Sequence, residues 1–94
     1  MHEERQTVTH EVGLHARPAA MFVGVASKFE STIEVRNRTS SSEWVDAKSI
    51  LGVLVLGVEK GHEIEIRTEG QDEIQACQAL GDLIRSNFGE APSR

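Results

Sequence analysis

A chain of 94 residues has room for one domain with a thin core and for no second one. With 38% hydrophobic and 27% charged residues, its composition is that of a folded, water-facing domain, which excludes a disordered chain or a membrane-embedded one. A formal net charge of -5 argues against bulk attraction to nucleic acid or an anionic membrane, and the single cysteine, Cys77, leaves neither an internal disulfide nor a cysteine-based metal site.

The opening MHEERQ is charged and no apolar stretch follows it, unlike a signal peptide. The longest apolar run, Ile50 to Val58, is interrupted by glycines and too short to span a bilayer. A cytoplasmic protein without membrane insertion is the expectation. Thr7, Val8 and Thr9 favour a first strand, which Gly13 breaks. A helix is predicted from Ala16 to Phe29, because Ala19, Phe22, Ala26 and Phe29 share one helical face and Pro18 suits a first turn.

Ile33 and Val35 alternate with polar residues as a half-buried strand does. The polar stretch NRTSSSE (37–43) then turns the chain into a second strand at Trp44 and Val45, completing a hairpin with a long loop. Asp46 is placed to cap a short helix from Ala47 that stops at or before Gly57. Glu63 to Thr68 alternates cleanly with Ile64 and Ile66 inward, and Gly70 ends that strand. The clearest helix runs from about Asp72 to Phe88, with Ile74, Cys77, Leu80, Gly81, Ile84 and Phe88 on one face. Residues 1–94 are thus one domain with a loose tail from about 90. The order strand-helix-strand-strand-helix-strand-helix predicts an α+β fold, with an antiparallel sheet, helices on one face and water on the other.

Of the four histidines, His2, His10 and His62 read as ordinary surface residues. No pair of histidines has metal-ligand spacing, so no metal and no cofactor is expected. His15, in GLHARPAA, differs. It stands just before the first turn of a helix, where backbone N–H groups lack intrahelical partners and the dipole favours an anion. Because Pro18 has no N–H, the useful donors are those of Ala16, Arg17 and Ala19, and the Arg17 guanidinium suits phosphate. A neutral imidazole is a nucleophile. Gly13 frees the turn before it, and Ala16, Ala19 and Ala20 leave room for a large partner. A phosphoryl-accepting histidine and a capping histidine beside a surface arginine both fit this spacing. No nucleotide-binding loop accompanies it.

At this point the sequence resembles a family. GLHARPAA is similar to the active-site motif of the histidine-containing phosphocarrier family, HPr, of the bacterial phosphoenolpyruvate:sugar phosphotransferase system. DAKSILGVLVLG (46–57) resembles that family's second signature, and KGHEIEI and EGQDEIQA follow in its order. The resemblance covers nearly the whole chain. It implies an open-faced β-sandwich of four antiparallel strands with three helices on one side. It also implies that His15 is phosphorylated on ring Nδ1 by phosphorylated enzyme I and passes the group to enzyme IIA domains of sugar permeases. Arg17 matches the family's active-site arginine, with Ala16 and Arg17 binding the phosphate. The protein would be a monomeric stoichiometric carrier and not a turnover enzyme.

Ser49 matches the serine that a dedicated kinase phosphorylates in many Gram-positive bacteria. That match implies a serine kinase/phosphorylase and a transcriptional regulator as further partners, and a regulatory role for the module as the alternative function. Read alone, without that match, Ser49 is a plain helix-start serine. Ile50, Leu51, Leu54 and Val55 are too many apolar residues for the buried face of one short helix. The family match puts Leu51 and Leu54, with Ala20, in a partner-docking patch, whereas packing alone would leave the leucines in the core. The string Ala47-Lys48-Ser49-Ile50 points to the sugar branch, with a nitrogen-related or dihydroxyacetone branch as the other options. Departures from the family pattern are Val12, the longer hairpin at 37–43, and a polar Gln6 in the first strand. Cys77 is expected in the core and Trp44 on a half-exposed strand face.

Overall fold

Alternation of period two and stripes of period 3.6 decide which side chains leave water, and the computed structural model, which describes residues 1–89, resolves how they meet. Strand β1 (His2–Thr7) is followed by helix α1 (Ala16–Ala26), the hairpin β2 (Thr32–Asn37) and β3 (Val45–Asp46), and helix α2 (Ile50–Val55). Strand β4 (Glu63–Glu69), helix α3 (Glu73–Arg85) and a 3-10 turn at Asn87–Gly89 follow among the described residues. The sheet order is β1-β4-β2-β3 and every neighbouring pair is antiparallel. This is the expected open-faced sandwich. Ile33 and Val35 of β2 and Ile64 and Ile66 of β4 bury their side chains together with Phe22 of α1, Val53 of α2 and Leu80 and Ile84 of α3.

The first strand lies earlier than its β-branched residues suggest. It occupies His2–Thr7, none of it buried, because β4 offers partners from Thr68 back to Glu63. Beyond Thr7 the chain turns away, held by Val8 N–H on the His62 carbonyl at 2.9 Å. Gln6 is tolerated because the facing side of β1 is polar throughout. Its amide donates to Glu4 at 3.0 Å, and Glu4 in turn accepts from Arg85 at 3.1 Å. A Cβ at Gly81 would come within 2.5 Å of that Glu4 carboxylate, the movable end of a long side chain.

Helix α1 ends at Ala26, not Phe29. Lys28 and Phe29 donate to carbonyls three residues back, which tightens the last turn, while Phe29 still packs half-buried on the core. Helix α3 ends at Arg85, because Asn87 and Phe88 take left-handed φ values of 55° and 57° that bring the Phe88 ring into the core. Ile74 is 60% exposed, and Ala76 takes the buried position beside Cys77. Burial pushes the Cys77 thiol up to about 12, helped by the Glu4 charge, so the thiol stays protonated. The predicted loose tail from about 90 lies outside the described residues.

The outer face of the sheet is more structured than a face simply open to water. Glu65 is buried there between Arg36 (2.7 Å) and Arg5 (3.4 Å), and Arg67 pairs with Glu34 at 2.7 Å. Trp44, just before β3 and half-buried, lies under both Arg67 (4.0 Å to the ring centre) and Arg36 (5.0 Å). The Arg36 guanidinium, with Arg5, holds the Glu65 carboxyl below the usual carboxylate range.

Candidate functional site

The segment leading into α1 is fixed by its backbone. Gly13 has φ +63°, and a Cβ there would sit 2.1 Å from the Val58 carbonyl oxygen and 2.7 Å from Glu59 Cα. The glycine therefore does more than free the turn: it lets this segment lie directly on the loop after α2. Leu14, fully buried, donates its N–H to the same Val58 oxygen at 3.0 Å. His15 follows at the cap position of α1 with extended backbone (φ -123°, ψ 162°), half-buried, and its side chain makes no capping bond. Ala16 is left-handed (φ +51°), a conformation that costs a side-chain-bearing residue about 1–2 kcal/mol. Leu14 before it and Pro18 after it are both buried.

Ala16 and Arg17 are exposed, as is Ala20, whereas Ala19 belongs to the core and leaves no room for a partner. Among the described residues no carboxylate pairs with Arg17. His15, Ala16 and Arg17 are thus brought together at an exposed, uncapped helix start of an 11-residue helix. Chemically, that helix start carries a nucleophilic ring, first-turn N–H donors and an exposed guanidinium within three consecutive residues. Among the described residues, no group of His, Cys, Asp and Glu side chains could hold a metal.

The second motif folds differently from its reading. The cap of α2 is Ser49, not Asp46: Ser49 Oγ accepts the Gly52 N–H at 3.1 Å. Asp46 instead ends β3 and accepts the Lys48 N–H at 2.9 Å, an Asx turn that leads into the cap. Lys48 Nζ donates to the Phe29 carbonyl at 2.7 Å, tying this turn to the end of α1. On α2, Leu51 is 72% and Val55 80% exposed, and Ile50 is 40% exposed. Leu54 is half-buried against the core, so the two leucines singled out from the sequence have different surroundings.

Two histidines read as surface residues are structural. His10 accepts the Val12 N–H on Nδ1 at 3.2 Å, and its ring meets Phe88 edge to face at 5.7 Å. His62 Nδ1 lies 3.1 Å from the fully buried Asn37 amide. The signal for Asn37 was available: it continues the inward alternation of Ile33 and Val35, so period two places it in the core.

The family described as "PTS HPr component phosphorylation site" matches residues 2–86. The chain is 42% identical over 92 residues to a phosphocarrier protein HPr of Xylella fastidiosa, covering 96% of this chain and 98% of that one. It is 44% identical over 84 residues to a multiphosphoryl transfer protein of Haemophilus influenzae, covering 89% of this chain but only 17% of that much longer protein. The crystal structure of HPr-C-His from Thermoanaerobacter tengcongensis superposes with a TM-score of 0.92 at 47% identity, covering 98% of this chain and all of that one. The chain belongs to the HPr family of phosphotransferase-system phosphocarriers.

Proposed function

We propose that His15 accepts a phosphoryl group from phosphorylated enzyme I and passes it to enzyme IIA domains of sugar permeases. The P–N bond to the donor's histidine breaks as a P–N bond to His15 Nδ1 forms, and that bond in turn breaks as the phosphoryl group bonds to the acceptor protein's nucleophile. The chain acts as a stoichiometric, monomeric carrier in the cytoplasm, and its partners supply the remaining catalytic groups. The observation that carries this reading is the uncapped start of α1, where His15 makes no capping bond and the exposed Arg17 follows two residues later. Phosphoryl transfer depends mainly on positioning and charge stabilisation, which first-turn N–H groups of Ala16 and Arg17 and the Arg17 guanidinium provide. Docking falls to Ala20 on α1 and Leu51 on α2, with exposed Ile50 and Val55 beside them in sequence and half-buried Leu54 at the margin; α1 and α2 pack together.

A second role is regulatory, through phosphorylation of Ser49 by a serine kinase and recognition by a transcriptional regulator. Its support is the position of Ser49 as helix cap, where added phosphate meets first-turn N–H groups instead of breaking the helix. The sugar branch is preferred over a nitrogen-related or dihydroxyacetone branch on the Ala47–Ile50 string. Incubation with phosphoenolpyruvate and enzyme I, followed by mass analysis of the labelled peptide, tests the main reading. Acid-labile phosphate on His15 is expected, and none on that residue refutes it.

A further inference from the structure

The loop that supports the approach to His15 is itself held by two side chains that the carrier chemistry does not use. Asn37 ends β2 in the core, and every polar atom of its amide is engaged. Nδ2 lies 3.1 Å from the Leu56 carbonyl oxygen and 3.1 Å from His62 Nδ1, while Oδ1 accepts the Ser40 N–H at 3.2 Å. A carbonyl requires a donor and an N–H requires an acceptor, so two independent partners fix which way the amide points. The second hydrogen on Nδ2 then goes to His62 Nδ1, which must accept. Glu59 donates its N–H to the same Nδ1 at 3.2 Å. Nδ1 is therefore the accepting nitrogen and the ring proton sits on Nε2. The ring closes the 57–62 loop on itself and fastens it to the end of α2 and to the hairpin.

Both ends of the segment that delivers His15 hang on this loop. At one end Val8 donates to the His62 carbonyl at 2.9 Å, and Gly61 donates to the Val8 carbonyl at 2.7 Å. At the other end Leu14 donates to Val58, against which Gly13 also rests. His15 is the next residue, so a shift of the loop is a shift of the imidazole relative to the start of α1.

We propose that Asn37 and His62 form a clasp that positions the acceptor loop, which makes both of them positioning residues for phosphoryl transfer at His15. The proposal rests on the reading of His15 as acceptor. Transfer falls steeply when the reacting atoms are misplaced, whereas the exposed apolar residues of α2 lie outside the clasp. Loss of the clasp therefore acts on the rate at saturation and not on docking.

The test measures initial rates of phosphate uptake from phosphoenolpyruvate through enzyme I, with the full chain as the varied substrate. His62→Leu removes the acceptor and is expected to lower kcat about tenfold with KM unchanged. His62→Asn puts Oδ1 where Nδ1 was and is expected to restore most of the rate. A wild-type kcat in His62→Leu overturns the clasp, as does an effect confined to KM or a His62→Asn variant as slow as His62→Leu. Should His62→Leu fail to fold, nitrogen-15 NMR of the wild-type imidazole decides: Nε2–H with Nδ1 unprotonated supports the clasp and the opposite tautomer overturns it. A wild-type chain that takes no phosphate on His15 defeats the acceptor reading itself, a failure seen without any variant.

Discussion

The starts of α1 and α2 share an extended cap backbone and differ in what fills them. At α2, Ser49 (φ -108°, ψ 116°) closes its own helix by accepting the Gly52 N–H, and its backbone N–H is taken by the Asp46 carbonyl at 3.1 Å. At α1, His15 (φ -123°, ψ 162°) makes no such bond, and Ala16 after it is left-handed. The first-turn donors of an uncapped terminus are available to an anion from outside. A capped terminus accepts one only by exchanging a bond it already has. The difference teaches that two helix starts of similar backbone form can differ in whether their first-turn donors are open or already engaged.

The largest expected effect breaks the first half of that comparison. His15→Ala removes the proposed nucleophile and should abolish phosphate uptake while the circular dichroism spectrum stays that of the wild type. Arg17→Ala should retain uptake with a rate lower by about 10²-fold, the scale of losing one charge-stabilising group. Uptake by His15→Ala at the wild-type rate, read by acid-labile phosphate, would remove the basis for treating α1 as the receiving site.

Next in size are the two leucines of α2. Leu54→Glu places a carboxylate against the core and should lower stability by about 2 kcal/mol or more in urea denaturation. Leu51→Glu, at an exposed position, should leave stability within about 0.5 kcal/mol and raise KM for enzyme I. Equal losses of stability in both variants would contradict the different surroundings assigned to them.

Ser49 sharpens the second half. Ser49→Ala loses the cap bond and should cost about 1 kcal/mol with phosphate uptake unchanged. Ser49→Asp keeps an acceptor for the Gly52 N–H, so its spectrum should match the wild type, while the added charge raises KM for enzyme I. An Ala variant as stable as the wild type would show that the cap bond does not close this helix.

The smallest effect is on acid stability away from both helix starts. Glu65, held below the usual carboxylate range chiefly by Arg36, and Asp72, held there chiefly by the Ser31 hydroxyl and the Glu30 N–H, are both ionised in the fold. A carboxyl depressed on folding contributes stability that is present above its unfolded value, about 4, and is lost as pH falls through the lower folded value. The contribution of these two carboxyls to thermal stability should thus be constant from neutral pH to about 5 and fall below about 4. Glu65→Gln should flatten that fall. An unchanged acid profile in this variant would show that Glu65 does not report on the outer face.

Much of this was legible in the sequence where periodicity meets burial. Ile33 and Val35, Ile64 and Ile66, and Leu80 and Ile84 lie where alternation and helical spacing place them. Strand β1 was not legible as HEERQT, because it owes its place to the hydrogen-bonding edge of β4 and to Glu4, not to apolar residues of its own. Asp46 and Ser49 are both good cap residues, and only the end of β3 at Asp46 decides between them. At the site, residue types pointed to His15 and Arg17. The left-handed Ala16 and the contact of Gly13 with Val58 depend on a loop more than forty positions away, which no local pattern encodes.

The central claim is that the open start of α1, and not the capped start of α2, receives the phosphate. Nitrogen-15 NMR of the chain before and after incubation with phosphoenolpyruvate and enzyme I addresses both sites in one spectrum. The account predicts a phosphorylated His15 Nδ1, with the backbone N–H signals of Ala16 and Arg17 moving as they bind the new anion and that of Gly52 staying in place. Phosphate on His15 with unmoved Ala16 and Arg17 signals, or phosphate on another residue, would contradict it.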